Sequence, residues 1–287
     1  MGVVSSPIAE ALPLGFVICP SFGPEHTQLN GLEVVVARQL AAAGFTVLRY
    51  QSQGYADSEG PRDAIDPDTH LADAKDAVGV LAERLGGKPI VPLGGLFGGT
   101  IAALTAQELD LLAVAMWEPA VDGLRYAERL LRNLAIQEMA AARNQDRPGP
   151  PLTALREQLS AGSLDAQGFT FTSRAYDRLA AASLLRDLST SDRACLVVGV
   201  SRSGRPPAAM SSLVEHLGTI GWTTTLRTVT DKLVRPLGTY RYVGFDDRAG
   251  RRDTQFALNE AIASETVAWA RDLLPGASPQ VSGEPRG

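Results

Sequence analysis

The chain has 287 residues, 45% of them hydrophobic and 21% charged, a globular composition with ample material for a core. A net charge of −5 argues against a broad nucleic-acid-binding face, and two cysteines, Cys19 and Cys195, are too few for a disulfide framework or a metal cluster. No apolar run approaches the roughly 18 residues that a membrane span needs. No basic segment followed by an apolar core opens the chain, so the expectation is a cytoplasmic protein without a membrane or nucleic-acid partner.

Apolar runs of strand length alternate with amphipathic stretches of helix length, which predicts βαβ units and a mostly parallel sheet flanked by helices. Leu14 to Cys19 is the first buried strand, closed by Pro20. Gly31 to Ala43 has helical spacing and stops at Gly44. Phe45 to Tyr50 is the second strand. Pro67 to Leu85 is a helix with proline in its first turn and Gly86-Gly87 at its end. Pro89 to Gly94 is the third strand, followed by a glycine-rich turn and a helix over Thr100 to Glu108. Leu112 to Trp117 is the fourth, and Ala194 to Val200 and Thr223 to Val229 are the last two. Between Gly123 and Ser189 the rhythm breaks into helices over Tyr126 to Asn144, Leu152 to Leu159 and Ser173 to Leu188, with Asp146 to Pro151 as a breaker. The expected organisation is a core of residues 1–122 and 190–274, a helical cap insertion over 123–189, and a disordered tail over 275–287. Phe256 to Leu274 is the closing helix.

Four features in this order resemble the α/β-hydrolase superfamily. They are the Pro20-Ser21-Phe22-Gly23 loop after the first strand, the glycine-rich loop Gly54 to Gly60 after the second, the strand, Gly95-Leu96-Phe97-Gly98-Gly99 turn and helix, and the later helical insertion. The Trp117 to Gly123 run is similar to bacterial serine-aminopeptidase-like hydrolases. The resemblance implies an α/β-hydrolase fold, a strained nucleophile elbow at the glycine-rich turn, and oxyanion-hole amides at Phe22 and Gly98.

The elbow carries no nucleophile. Phe97 stands at the serine position, and a shift of one puts Leu96 there; no serine or cysteine occurs between Ser58 and Ser160. The residues after Ala194 to Val200 are Ser201-Arg202-Ser203-Gly204, with no carboxylate. Only three histidines exist, His26, His70 and His216, and none lies between Thr230 and Gly287, where the resemblance expects the base. Serine-triad hydrolysis therefore lacks all three of its roles.

Backbone amides survive side-chain replacement, and an oxyanion hole without a nucleophile suits proton abstraction α to a carbonyl. Candidate bases are His26, three residues past the loop and preceded by Glu25, and Glu118, at the end of the fourth strand; the substrate's own carboxylate is the third option. Phe97, Trp117, Phe169 and Phe171 are candidates to line an apolar pocket. Gln51 and Gln53 are candidate polar wall, Asp122 is a pocket candidate that reads as a base or as a helix N-cap, and Arg202 is a candidate partner for a substrate carboxylate. His70 and His216 read as structural. Phe97 and the missing histidine resemble the atypical α/β-hydrolase-fold peptide epimerases of bottromycin biosynthesis. That resemblance implies an isomerase acting beside a carbonyl or azoline in a modified peptide, with no metal and no cofactor. The alternatives are a non-catalytic protein that binds a peptide or a small carboxylic acid, and a hydrolase using Ser21 or Ser201.

Overall fold

The computed structural model describes residues 1–8, 10–61, 63, 65–143, 148–230, 237 and 248–274. The expected tail at 275–287 lies outside them. The first half runs β1 (Gly2–Ser5), β2 (Gly15–Cys19), α1 (Pro24–Ala42), β3 (Thr46–Tyr50), α2 (Pro67–Arg84), β4 (Ile90–Gly95), α3 (Phe97–Glu108) and β5 (Ala113–Trp117). The second half runs α4 (Gly123–Arg143), α5 (Leu152–Ser160), β6 (Ser163–Ala166), β7 (Phe169–Thr172), α6 (Ser173–Ala181), α7 (Leu184–Asp187), β8 (Ala194–Ser201), α8 (Ala208–Thr219), β9 (Thr223–Thr230) and α9 (Arg248–Asp272).

The main sheet has the order β1-β3-β2-β4-β5-β8-β9. Every neighbouring pair is parallel except β1 with β3. β2, β4 and β5 are buried at every residue, as central parallel strands covered on both faces must be. Their apolar runs were therefore the plainest signal in the sequence. The register sets Cys19 beside Gly94 and Gly95 beside Trp117, so the carboxyl ends of these strands lie level. Open parallel sheets build their sites at that edge.

Successive side chains of β2 pack into different clusters. Phe16 meets Phe45 edge-on at 5.1 Å in the main core. Val17 instead joins Ala77, Val78 and Leu81 of α2. Across the molecule, the Trp117 indole N–H donates to the Thr266 hydroxyl of α9 at 3.0 Å.

Three expectations are corrected. Helix α1 begins at Pro24, not Gly31, with proline in its first turn and Glu25 as the acidic residue there. His26 therefore sits on a helix and not in a loop. The expected helix over Ser173 to Leu188 divides at Ala182, whose ψ of 138° is extended. Residues 163–172, taken with the helical insertion, form the antiparallel β6–β7 hairpin. Its turn residues Gln167 and Gly168 have φ of 58° and 86°, the pairing a tight two-residue hairpin needs. Among the described residues no helix is long and apolar enough to cross a membrane, and no cluster of His, Cys, Asp or Glu is placed to hold a metal ion.

Candidate functional site

The turn between β4 and α3 fixes the register that the sequence left open. Glycines at 94, 95, 98 and 99 allow either Leu96 or Phe97 to be the central residue. The backbone chooses Leu96, at φ 51° and ψ −124°. A non-glycine residue in that region is strained. The glycines that matter are then Gly94 and Gly98. A Cβ on Gly94 would stand 2.6 Å from the Gly98 carbonyl, and a Cβ on Gly98 would stand 2.3 Å from the Cys19 carbonyl oxygen. Neither place has room for a side chain. Phe97 is accordingly the residue after the elbow, not the elbow itself. Its ring is fully buried, stacked on Tyr126 at 5.3 Å and edge-on to Phe22 at 6.1 Å.

The shift of register moves the oxyanion donor too. With Leu96 at the elbow, the amide that follows it belongs to Phe97 and not to Gly98. Phe97 opens α3, so its N–H has no carbonyl partner within its own helix. The loop carrying Phe22 is held from behind. The Gly23 N–H donates to the Tyr55 hydroxyl at 2.8 Å, and that hydroxyl lies 3.1 Å from Nε2 of His70. His70 is buried, its ring 5.4 Å from that of Phe22, and burial lowers its pKa to about 3. The Tyr55 hydroxyl thus joins the Gly23 N–H to the neutral His70 ring. His70 is structural, as expected, but what it supports is this loop.

Glu25 is the residue that sequence reasoning passed over. It is 2% exposed on the first turn of α1. Its carboxylate accepts from the Tyr126 hydroxyl at 2.7 Å and from Arg129 Nη2 at 3.2 Å, and the Ser21 hydroxyl lies 3.5 Å away. Burial outweighs these partners and raises its pKa to about 7. Glu25 lines a cavity of about 40 Å³ with Phe22, Leu134, Phe169 and Phe171. That is space for about three waters, not for a peptide. Phe169 and Phe171 thus do line an apolar cavity, as expected. The signal for Glu25 was the Pro-Glu pair that marks a helix start; its burial needed Tyr126 and Arg129 from a helix a hundred residues on.

The other candidates separate. His26 is half-buried over the Tyr55 ring at 4.9 Å, and burial lowers its pKa to about 4, so it is neutral and weakly basic near pH 7. It borders an open groove and does not line the cavity beside Glu25. Glu118 has a strained φ of 44°, and its carboxylate accepts from the Val200 N–H at 3.3 Å and the Leu237 N–H at 2.7 Å. Burial raises its pKa. Glu118 ties backbone together at the sheet edge. Asp122 accepts from the Arg125 N–H at 3.0 Å, which makes it a helix cap and not pocket wall. Gln53 is exposed and bound to Asp73 through its N–H and its side-chain amide, and it lines a surface groove with Gln51 and Asp73, whereas Gln51 also lines the groove beside His26. Trp117 is core, held by Thr266, and not pocket lining. Arg202 lies exposed in the loop after β8. Ser21 is fully buried and turned to Glu25, and Ser201 lies beside Ser203; among the described residues neither hydroxyl is bonded to a histidine.

The fold recurs in solved structures. The esterase Est1E of Butyrivibrio proteoclasticus, solved with ferulic acid bound, matches with a TM-score of 0.59 at 17% identity, over 93% of this chain and 95% of that one. The fold is that of the α/β hydrolases. XC6422 of Xanthomonas campestris, an α/β serine hydrolase without a lid, matches with a TM-score of 0.54 at 14% identity over 97% and 90% of the two chains. DcsB in complex with its substrate analogue matches with a TM-score of 0.57 at 15% identity over 94% and 92%. No family model matches the chain, and no curated sequence does. An α/β-hydrolase fold is thus shared at identities that carry the fold alone. Within that fold this chain sets leucine at the elbow.

Proposed function

We propose that the protein is a non-hydrolytic α/β-hydrolase-fold enzyme that moves a proton at a carbon α to a carbonyl or azoline in a modified peptide, an epimerase of natural-product biosynthesis. The observation that carries this is Glu25, a buried carboxyl poised near neutrality that accepts from Tyr126, whose ring stacks on Phe97 next to the elbow, with the Ser21 hydroxyl of the loop after β2 at 3.5 Å. A base works best when its pKa lies near the working pH. At about 7, Glu25 fits better than His26, at about 4, or Glu118, already spent on two backbone amides. Leu96 cannot attack a carbonyl, so an acyl intermediate is not accessible there.

In the step proposed, the α-proton passes to a Glu25 oxygen. The C–H electron pair moves toward the carbonyl or azoline heteroatom, where the Phe22 and Phe97 N–H groups stabilise the developing charge. Return of a proton to the opposite face, from the substrate's own carboxylic acid or from water, inverts the centre, and Glu25 then gives its proton to the carboxylate or hydroxide left behind. The cavity beside Glu25 is too small for the substrate, so entry requires the β6–β7 hairpin, which carries Phe169 and Phe171, to move away.

The test is α-deuterium incorporation into an azoline-containing peptide in D₂O. Wild-type protein is expected to accelerate it, and Glu25→Gln to lose about a hundredfold of that rate or more. No acceleration by the wild type, or an unchanged rate in the variant, overturns the proposal. The small apolar cavity and the buried Phe97 ring favour one second reading, a binding protein for a peptide or a small carboxylic acid. A ligand that binds tightly and never exchanges its α-proton would decide for it.

A further inference from the structure

Apart from the cavity beside Glu25, an open groove of about 520 Å³ runs between α1, the loop after β3 and the tip of the β6–β7 hairpin. Its size is that of a ligand site. His26, Asn30 and Gln51 line it, and the same three residues line an adjoining pocket of about 130 Å³ that reaches Glu33 and the edge strand β1. The two spaces form one elongated trough from the hairpin turn to the edge of the sheet. Among the described residues β1 pairs only with β3, at the end of the sheet.

The trough holds buried polar atoms without partners. Nδ1 of His26, Oε1 of Gln51 and Oε1 of Glu33 make no hydrogen bond. Glu33 is 5% exposed, so its orphaned oxygen is a cost that folding alone does not explain. Burial raises the Glu33 pKa to about 8, which leaves the carboxyl mostly protonated near neutrality, able to donate and to accept. Asn30 spends its carbonyl oxygen on Arg49 at 3.1 Å and keeps its amide N–H groups to give. The lining thus offers both donors and acceptors, and its charges are mixed, with Arg49 and the Met1 ammonium set against Asp57. A phosphate or a nucleic acid would find no basic surface here. A peptide backbone offers matching N–H and C=O groups.

We propose that this trough binds an extended segment of an uncharged peptide, with its amide groups on Gln51, Glu33 and Asn30 and its chain directed toward β1. The inference takes its ligand class from the proposed function and deepens it. The segment bound would lie beyond the reacting residue, because Phe169 stands between the trough and the cavity of Glu25 and lines both.

Isothermal titration with an acetylated and amidated azoline heptapeptide tests this, since capped ends remove terminal charge. Gln51 is half-buried, and its Leu variant is expected to fold and to weaken binding about fivefold or more, the loss from one or two hydrogen bonds. Glu33→Gln, which keeps the shape, is expected to shift affinity in the same direction. N-methylation of the peptide amides is expected to do the same with the wild-type protein. No binding to the wild type, affinity unchanged in both Gln51→Leu and Glu33→Gln, or preference for maltohexaose over the peptide overturns the inference. Binding that depends on Gln51 without any α-deuterium exchange leaves it standing while the proposed chemistry falls. Exchange that proceeds with affinity unchanged in both variants removes it alone.

Discussion

Replacing Glu25 by glutamine should change how stability depends on pH, whatever the substrate. Burial raises the Glu25 pKa from 4.5 to about 7. The folded state therefore holds a proton that the unfolded chain releases between those values. Stability is highest on this account below pH 4.5, falls as pH rises through the interval, and reaches its lower level above about 7. At 1.36 kcal/mol per pH unit, the rise corresponds to about 3 kcal/mol. That is a large share of the roughly 5–15 kcal/mol that holds a protein folded. Glutamine does not ionise, and its oxygen can still accept from Tyr126, so the variant should lack this slope. His26 and His70 have pKa values lowered by burial and act in the opposite sense, losing stability as pH falls below about 6.5. They are common to both proteins and cancel in the difference. Urea denaturation of the two proteins across this range measures it. The wild type should lose about 3 kcal/mol relative to Glu25→Gln between pH 4.5 and 8. A difference that stays constant with pH would refute the placement of Glu25 as a buried carboxyl.

Leu96→Ser should gain no esterase activity on a p-nitrophenyl ester, because no histidine follows residue 216 to serve a serine there. Gly98→Ala should destabilise by about 3 kcal/mol or abolish folding, because its Cβ would meet a backbone oxygen at 2.3 Å and backbone cannot step aside; thermal denaturation reads this directly. Tyr55→Phe should cost about 2–4 kcal/mol, since it leaves both the Gly23 N–H and the His70 ring nitrogen buried without a partner. Equal denaturation midpoints for Tyr55→Phe and the wild type would show that this network does not hold the loop.

The central strands were legible because burial on both faces writes a continuous apolar run, as in Leu14 to Cys19. The turn after β4 was legible as a turn but not in its register. Two overlapping glycine pairs fit one pattern, and only the sign of φ at Leu96 separates them. The start of α1 was written in Pro24 and Glu25, a helix-initiating pair that the apolar spacing further on obscured. The hairpin was written in the Phe-Thr-Phe-Thr alternation of β7 and the Gln167-Gly168 turn, yet an insertion full of helices masked it. Glu25 could not have been found from spacing. Its burial comes from Tyr126 and Arg129, and sequence separation hides what packing joins.

Leu96 keeps a costly backbone conformation although nothing reactive stands there to profit from it. The contacts of Gly94 and Gly98 supply the reason, since strand and helix can close on the carbonyl of Cys19 only through such a turn. Sharpness at this corner is thus first a demand of the sheet's own geometry. A residue placed there is lifted toward the sheet edge whether or not it has chemistry to offer. The scaffold makes the pedestal, and reactivity is a separate choice of what to stand on it.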